Sequence, residues 1–125
     1  MLKARDVMTK NVITIKQDVP LKDAIKILVG KGISGVPVFD DSNKVVGILS
    51  EKDIINYMFS GHMNTALVSE AMTKNVISVS SDTDTEKVAL LISEKKFRRV
   101  PVIDGDKLVG IISRRDIIRS MLDDK

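Results

Sequence analysis

Two octapeptides hold the residues best suited to chemistry. Residues 47–54 read GILSEKDI and residues 110–117 read GIISRRDI. Each places a Ser three positions before an Asp, as Ser50 with Asp53 and Ser113 with Asp116. A Ser between a strand and a helix accepts a hydrogen bond from a first-turn N–H, and an Asp in that turn balances the helix dipole. The same pair also suits a ligand. The carboxylate can accept two hydrogen bonds from a vicinal diol such as ribose. The hydroxyl and the helix N-terminus suit a phosphate. The Gly-apolar-apolar run before the Ser offers a flat wall to a base. S-x-x-D ahead of an apolar helix is equally a common capping arrangement, so both uses stand at this point.

The elements that must position these residues occur twice. AMTKNVISV at 71–79 repeats VMTKNVITI at 7–15, and VPVID at 100–104 repeats VPVFD at 36–40, each displaced by 64 positions. LVGIISRRDII at 108–118 repeats VVGILSEKDII at 45–55, displaced by 63, because DDSNK shortens to DGDK in a turn. A slip confined to a turn is what a structural duplication tolerates. Residues 12–15 and 76–79 read as strands. A helix follows, with Pro20 at its first position in one copy and a Thr83/Glu86 capping box in the other. Leu21, Ala24, Ile25 and Leu28 fall on one face, and Gly32 and Gly35 break the helix. The VPV run and the following apolar run form a hairpin. A second helix, capped by Ser50 or Ser113, turns Ile54, Ile55 and Met58, or Ile117, Ile118 and Met121, inward. The fold class is α+β, β-α-β-β-α twice, with repeats at 1–60 and 61–125. A unit of about 60 residues is marginal alone. The two are therefore expected to pack sheet to sheet with pseudo-two-fold symmetry.

Composition removes several classes of function. There is no Cys, so no disulfide framework or thiolate metal site forms. The single His62, in the linker stretch SGHMN, cannot build a typical metal cluster or a Ser-His-Asp triad with a second base. No G-x-x-x-x-G-K-[ST] loop is present. Lys and Arg number 20 against 17 Asp and Glu, a net charge of +3, and aromatics make up 3%. Both disfavour nucleic-acid binding. No apolar run approaches the ~20 residues of a membrane span, and the N-terminus lacks a signal-peptide core. A non-enzymatic cytoplasmic protein is expected, with no metal and no required cofactor. Met58, Met63, Met72 and Met121 suit core or interface filling.

The combination resembles the CBS domain, named for cystathionine β-synthase. It joins a strand with Thr or Ser, h-P-V on the next strand, and G-h-h-S-x-x-D opening a helix. Two in tandem are similar to a Bateman module, and the resemblance runs from about Val7 to Met121. It implies a stand-alone regulatory pair binding AMP, ADP, ATP or S-adenosylmethionine in a cleft between the repeats. Asp53 and Asp116 would hold ribose, and Ser50 and Ser113 would lie near phosphate. Ile13, Thr14, Val36, Pro37 and Ile48 would line one base pocket; Ile77, Ser78, Val100, Pro101 and Ile111 would line the other. The resemblance also implies a homodimer formed through the helices and an effector protein that reads ligand binding. The linker at 56–69, with Gly61, is the expected moving part.

The copies differ in charge. Ser34-Gly35 precedes the first VPV, whereas Arg98-Arg99 precedes the second; Glu51-Lys52 becomes Arg114-Arg115. Arg grips phosphate with a planar fork. Arg99 and Arg115 are therefore expected at the second site, which should bind the more highly charged nucleotide, or bind it more tightly. Exposed charge runs are equally often a solvated face. Lys10 and Lys74 are further basic candidates. The competing reading is a ligand-free dimerisation or docking module, with both Ser-Asp pairs serving as caps.

Overall fold

Each sequence repeat folds into a helix, a hairpin and a second helix, and each lends its leading segment to the other. The computed structural model describes residues 2–123, with only the backbone of Asp123. The order is α1 (Ala4–Val7), β1 (Ile15–Lys16), α2 (Leu21–Lys31), β2 (Gly35–Phe39), β3 (Val45–Ser50) and α3 (Glu51–Tyr57). A 3-10 turn, Met58–Ser60, leads to α4 (Val68–Ala71), α5 (Thr85–Lys95), β4 (Arg99–Asp104), β5 (Lys107–Ser113) and α6 (Arg114–Asp123). No helix among the described residues is long and apolar enough to cross a membrane.

The chain divides into two compact units, Ile13–Val76 and Met1–Val12 with Ile77–Lys125. The expected boundary near residue 60 thus separates sequence repeats and not compact units. In the first unit, β1 runs parallel to β2 and β2 antiparallel to β3. Leu21, Leu28, Val36, Val38 and Leu49 form its core together with Ala66 and Val68, which lie within the 56–69 linker and tie its end down, and Met72 just after it. In the second, β4 and β5 form the hairpin, and Ala4 joins Val88, Val100, Val102 and Ile112 in the core. Each leading segment therefore contributes buried side chains to a core.

This exchange accounts for two departures from expectation. Pro20 lies just outside α2, and the Leu21 N–H donates to the Ala66 carbonyl at 2.8 Å. Asp84, not Thr83, occupies the position before α5, and the Thr85 N–H donates to Leu2 O at 3.1 Å. Thr83 Oγ1 instead accepts from the Ser80 N–H at 3.2 Å, and no Thr83/Glu86 capping box forms. A carbonyl from a docked segment satisfies the helix start that a side chain was expected to cap.

The strands expected at 12–15 and 76–79 are shorter than the apolar runs. Only Ile15 and Lys16 pair, opposite Val38 and Phe39, and Val79 alone bridges Val102. The reason is a proline. Val79 N donates to Pro101 O, and Ile103 N donates to Val79 O. The next rung would be a donation from residue 101 to the Ile77 carbonyl, and proline has no N–H. Pro37 imposes the same stop opposite Ile13 by the register of β1 on β2.

The second helices also differ from expectation. Ile54 and Ile117 pack on the cores. Ile55, Met58, Ile118 and Met121 instead point to solvent, at 56, 54, 63 and 69% exposure. Adjacent residues on a helix lie about 100° apart, so one hairpin cannot cover both members of an Ile-Ile pair.

Docking of the leading segments depends on two glycines. A Cβ at Gly47 would lie 2.6 Å from Met72 Sδ and 2.7 Å from the Thr73 carbonyl oxygen; at Gly110 it would lie 2.5 Å from Met8 Sδ. Met can shift but the Thr73 backbone is tied to Ile48. Gly47→Ala should therefore destabilise the protein by about 1–3 kcal/mol, read as a lower urea midpoint. An unchanged midpoint would mean that the segment is not held there.

Charge secures the N-terminal segment. Lys3 Nζ bonds Asp84, Arg5 Nη1 donates to Asp82 at 2.6 Å, and the Ser81 N–H and hydroxyl donate to Asp104 at 2.9 and 2.7 Å. The Lys3 hydrogen bond and charge hold the Asp84 carboxyl below its ordinary value of 3.8. The Ser81 N–H, then its hydroxyl, lower that of Asp104. A lowered carboxyl favours the fold above its unfolded pKa, and this contribution is lost as pH falls through the folded value. The midpoint difference between wild type and Asp84→Asn should be small, as exposed pairs contribute little. It should hold steady at higher pH and close as pH falls below 3.8. A difference that persists in acid would exclude the ion pair as its source.

Candidate functional site

The site begins with the alternation of β3 and β5. Leu49 and Ile112 are fully buried and face the cores. Ile48 with Ser50, and Ile111 with Ser113, fall on the opposite face and are half-buried. Pro37 lies across from Ile48 and Pro101 across from Ile111, so each proline falls on the same face of the hairpin as the Ser, where it is itself fully buried. Val36 and Val100 pair with Leu49 and Ile112 and are buried in the cores. Their side chains are thus withdrawn from the face that carries the Ser, and only their backbone remains near it.

At the end of each hairpin the Ser-Asp pair forms a reciprocal cap. In the first unit the Asp53 N–H donates to Ser50 Oγ at 3.2 Å, and the Ser50 N–H donates to Asp53 Oδ2 at 2.9 Å. In the second the Asp116 N–H donates to Ser113 Oγ at 3.1 Å, and the Ser113 N–H to Asp116 Oδ2 at 2.8 Å. The first helical N–H is also engaged, Glu51 N to Ser34 O at 3.0 Å and Arg114 N to Arg98 O at 3.1 Å. Two of the first three N–H groups are therefore already used, which narrows the phosphate-binding capacity expected of the bare helix start.

The two carboxylates differ in what surrounds them. Asp53 Oδ2 also accepts the Ser50 hydroxyl at 2.9 Å, and Oδ1 accepts the Thr73 hydroxyl at 2.8 Å. Asp116 is buried, at 7% exposure, and its Oδ1 faces the Arg119 guanidinium at 3.5 Å. Thr73 was absent from the sequence-derived site. The repeated MTKNV segment was its only signal, and attention there falls on Lys10 and Lys74, which are both exposed.

On the other flank lie Ile13 and Thr14, and Ile77 and Ser78, all exposed. The prolines end the ladders beside them, and no backbone hydrogen bond of these four residues forms among the described residues. Each unit thus contains its whole predicted set. Ile13, Thr14, Val36, Pro37, Ile48, Ser50 and Asp53 fall in one; Ile77, Ser78, Arg99, Val100, Pro101, Ile111, Ser113, Arg115 and Asp116 fall in the other.

The arginines divide. Arg99 is half-buried at the start of β4, opposite Ser113. Arg114 and Arg115 instead line a groove of about 600 Å³ along α6 with Ile118, Arg119 and Leu122. Neither Ile111 nor Ser113 lines that groove. His62 is exposed.

The CBS domain family model matches residues 4–60 and 68–123. The structure of CBSX2 in complex with AMP superposes with a TM-score of 0.88 at 33% identity, over 98% of each chain. A CBS domain pair in complex with 5'-methylthioadenosine and S-adenosyl-L-methionine gives 0.87 at 30% identity, over 100% of this chain and 99% of that one. Inosine-5'-monophosphate dehydrogenase of Methanocaldococcus jannaschii is 34% identical over 118 residues, which is 94% of this chain and 23% of that protein. The chain spans 22 to 41% of the length of three such curated relatives.

Proposed function

The chain belongs to the CBS-domain family, and from that premise we propose that it is a non-catalytic regulatory module that binds an adenosine nucleotide and signals to a partner protein. Its repeats bind ligand through Asp53 and Asp116, which grip ribose, and Ser50 and Ser113, which lie towards phosphate. Arg99 adds a phosphate contact at the second site. The observation that carries this reading is that each unit holds a complete set of groups for one nucleoside. A carboxylate suits the diol, and an apolar hairpin face suits the base. A strand carbonyl at Ile13 or Ile77, left without a rung by Pro37 or Pro101, suits an exocyclic amine. Support comes from two similar structures of CBS pairs, one with AMP and one with 5'-methylthioadenosine and S-adenosyl-L-methionine.

Adenine carries an amine where hypoxanthine carries an oxygen. A carbonyl facing that oxygen would set acceptor against acceptor, with neither satisfied. Calorimetric titration with AMP, ADP, ATP and S-adenosylmethionine should give saturable binding, and IMP should bind at least about tenfold more weakly than AMP. Asp53→Ala and Asp116→Ala should each remove one site while the protein stays folded. The reciprocal caps favour the second reading, a ligand-free docking module. Under it no nucleotide binds, and each substitution only costs stability, about 1 kcal/mol.

The outward helix faces support a second copy as a partner. Ile55, Met58 and Phe59 are exposed in one repeat, and Ile118, Met121 and Leu122 occupy the matching positions in the other. A patch duplicated in this way suits a partner that itself carries two such patches. Ile118→Glu, at a residue 63% exposed, should convert a dimer to a monomer in light scattering without loss of helicity. A wild type that is already monomeric would remove this part of the reading.

A further inference from the structure

We propose that Thr73 sets the order in which the two sites fill, by occupying at the first site the carboxylate oxygen that the ribose needs. The inference rests on the nucleotide reading above. A carboxylate offers about four lone-pair positions. Three at Asp53 are taken, by the Ser50 N–H and hydroxyl on Oδ2 and by the Thr73 hydroxyl on Oδ1. Asp116 accepts one hydrogen bond, from the Ser113 N–H, and otherwise faces Arg119 at 3.5 Å.

The partners of the two Oδ1 atoms differ in how readily they yield. The Thr73 contact is a hydrogen bond of 2.8 Å to an ionised group, the stronger kind. The Arg119 contact is long, and its side chain is 62% exposed. The exposed guanidinium can swing away into solvent, and at 3.5 Å it makes no hydrogen bond of the 2.8 Å kind that Thr73 makes. A diol approaching Asp116 displaces a long ion pair whose guanidinium end is exposed and whose carboxylate end is buried. A diol approaching Asp53 must break the Thr73 bond first. The second site therefore fills first, and the first requires a higher nucleotide concentration.

The Thr73 hydroxyl is not needed to dock its own segment. Thr73 N and O both bond Ile48 at 2.9 Å, and Met72 packs on Gly47. Thr9, its counterpart, makes the same backbone bridge to Ile111. Yet among the described residues the Thr9 hydroxyl gives no hydrogen bond to Asp116. One fold holds both segments, and only one of the two hydroxyls reaches a carboxylate.

AMP titration of wild type, Thr73→Val and Thr9→Val tests the inference. Valine keeps the β-branched shape that suits the bridge and removes the donor. Wild type should bind in a tight and a weak phase, with the tight phase lost in Asp116→Ala and the weak phase lost in Asp53→Ala. Thr73→Val should strengthen the weak phase about tenfold and leave the tight phase alone, and Thr9→Val should change neither. Thr73→Ala, which also lacks the hydroxyl, should behave as the valine variant; Thr73→Ser should behave as wild type. A weak phase unchanged or weakened in both Thr73→Val and Thr73→Ala would overturn the inference while the nucleotide reading stands. So would loss of the tight phase in Asp53→Ala. No AMP binding by any of these proteins would defeat the nucleotide reading and this inference with it.

Discussion

The close approach of a backbone segment to a glycine on each hairpin is the constraint from which the rest of the structure follows. Met72 and Thr73 press on Gly47, and Met8 and Thr9 press on Gly110. No side chain fits there, so the segment can come near enough for Thr73 to exchange both backbone hydrogen bonds with Ile48, and Thr9 with Ile111. That rung fixes the hydrogen-bonding phase of the hairpin. Ile48 bonds outward, so its pair with Pro37 needs no hydrogen bond between them, and the proline nitrogen points to the opposite edge. A proline in the middle of a sheet becomes tolerable there. Its cost appears on the far side, where β1 ends early and leaves Ile13 without a rung. Docking at one edge and an open carbonyl at the other are two consequences of a single register.

The same docking explains why neither sequence repeat is a compact unit by itself. Leu21 and Thr85 begin their helices by donating to carbonyls of Ala66 and Leu2. Val68 and Ala4, both fully buried, fill the cores they dock on. Removing a leading segment would uncover a helix start and a core together. Folding of the two repeats is coupled through the chain, because each compact unit needs residues from both.

Much of this was legible in the sequence. The duplication, the hairpins, the polar turns and the Ser-Asp caps all follow from spacing, since each is set by neighbours a few residues away. What was not legible depends on distant partners. T-x-x-E before α5 has the form of a capping box, but a carbonyl from Leu2 serves the helix start, and the Thr83 hydroxyl turns to Ser80. Apolar residues at 12–15 match a strand, but a proline more than twenty positions away ends the ladder. The Ile-Ile pairs of α3 and α6 satisfy helical periodicity, which does not say how wide a stripe the hairpin covers. Within the site, Asp53 and Ser50 could be named from their motif, whereas Thr73 could not. Its hydroxyl matters only because the exchanged segment brings it to Asp53, and its twin Thr9 has the same sequence context without the bond.

Capping and ligand binding looked like rival uses of one motif, and under the nucleotide reading proposed above they fall on different oxygen atoms. In both repeats the cap is made with Oδ2, which accepts the Ser N–H, and the Ser Oγ accepts the Asp N–H in return. Oδ1 takes no part in it. The cap therefore fixes the carboxylate's orientation, so that its second oxygen is held in place before any ligand arrives. A group held this way loses little freedom on binding, which is how preorganisation raises affinity. The duplication kept the two reciprocal backbone-to-side-chain bonds of the cap in both repeats. It left Oδ1 to differ, with Thr73 on one and Arg119 on the other. Among the described residues the copies thus diverge at the oxygen the cap leaves free, and also at Oδ2, which takes the serine hydroxyl in the first repeat alone.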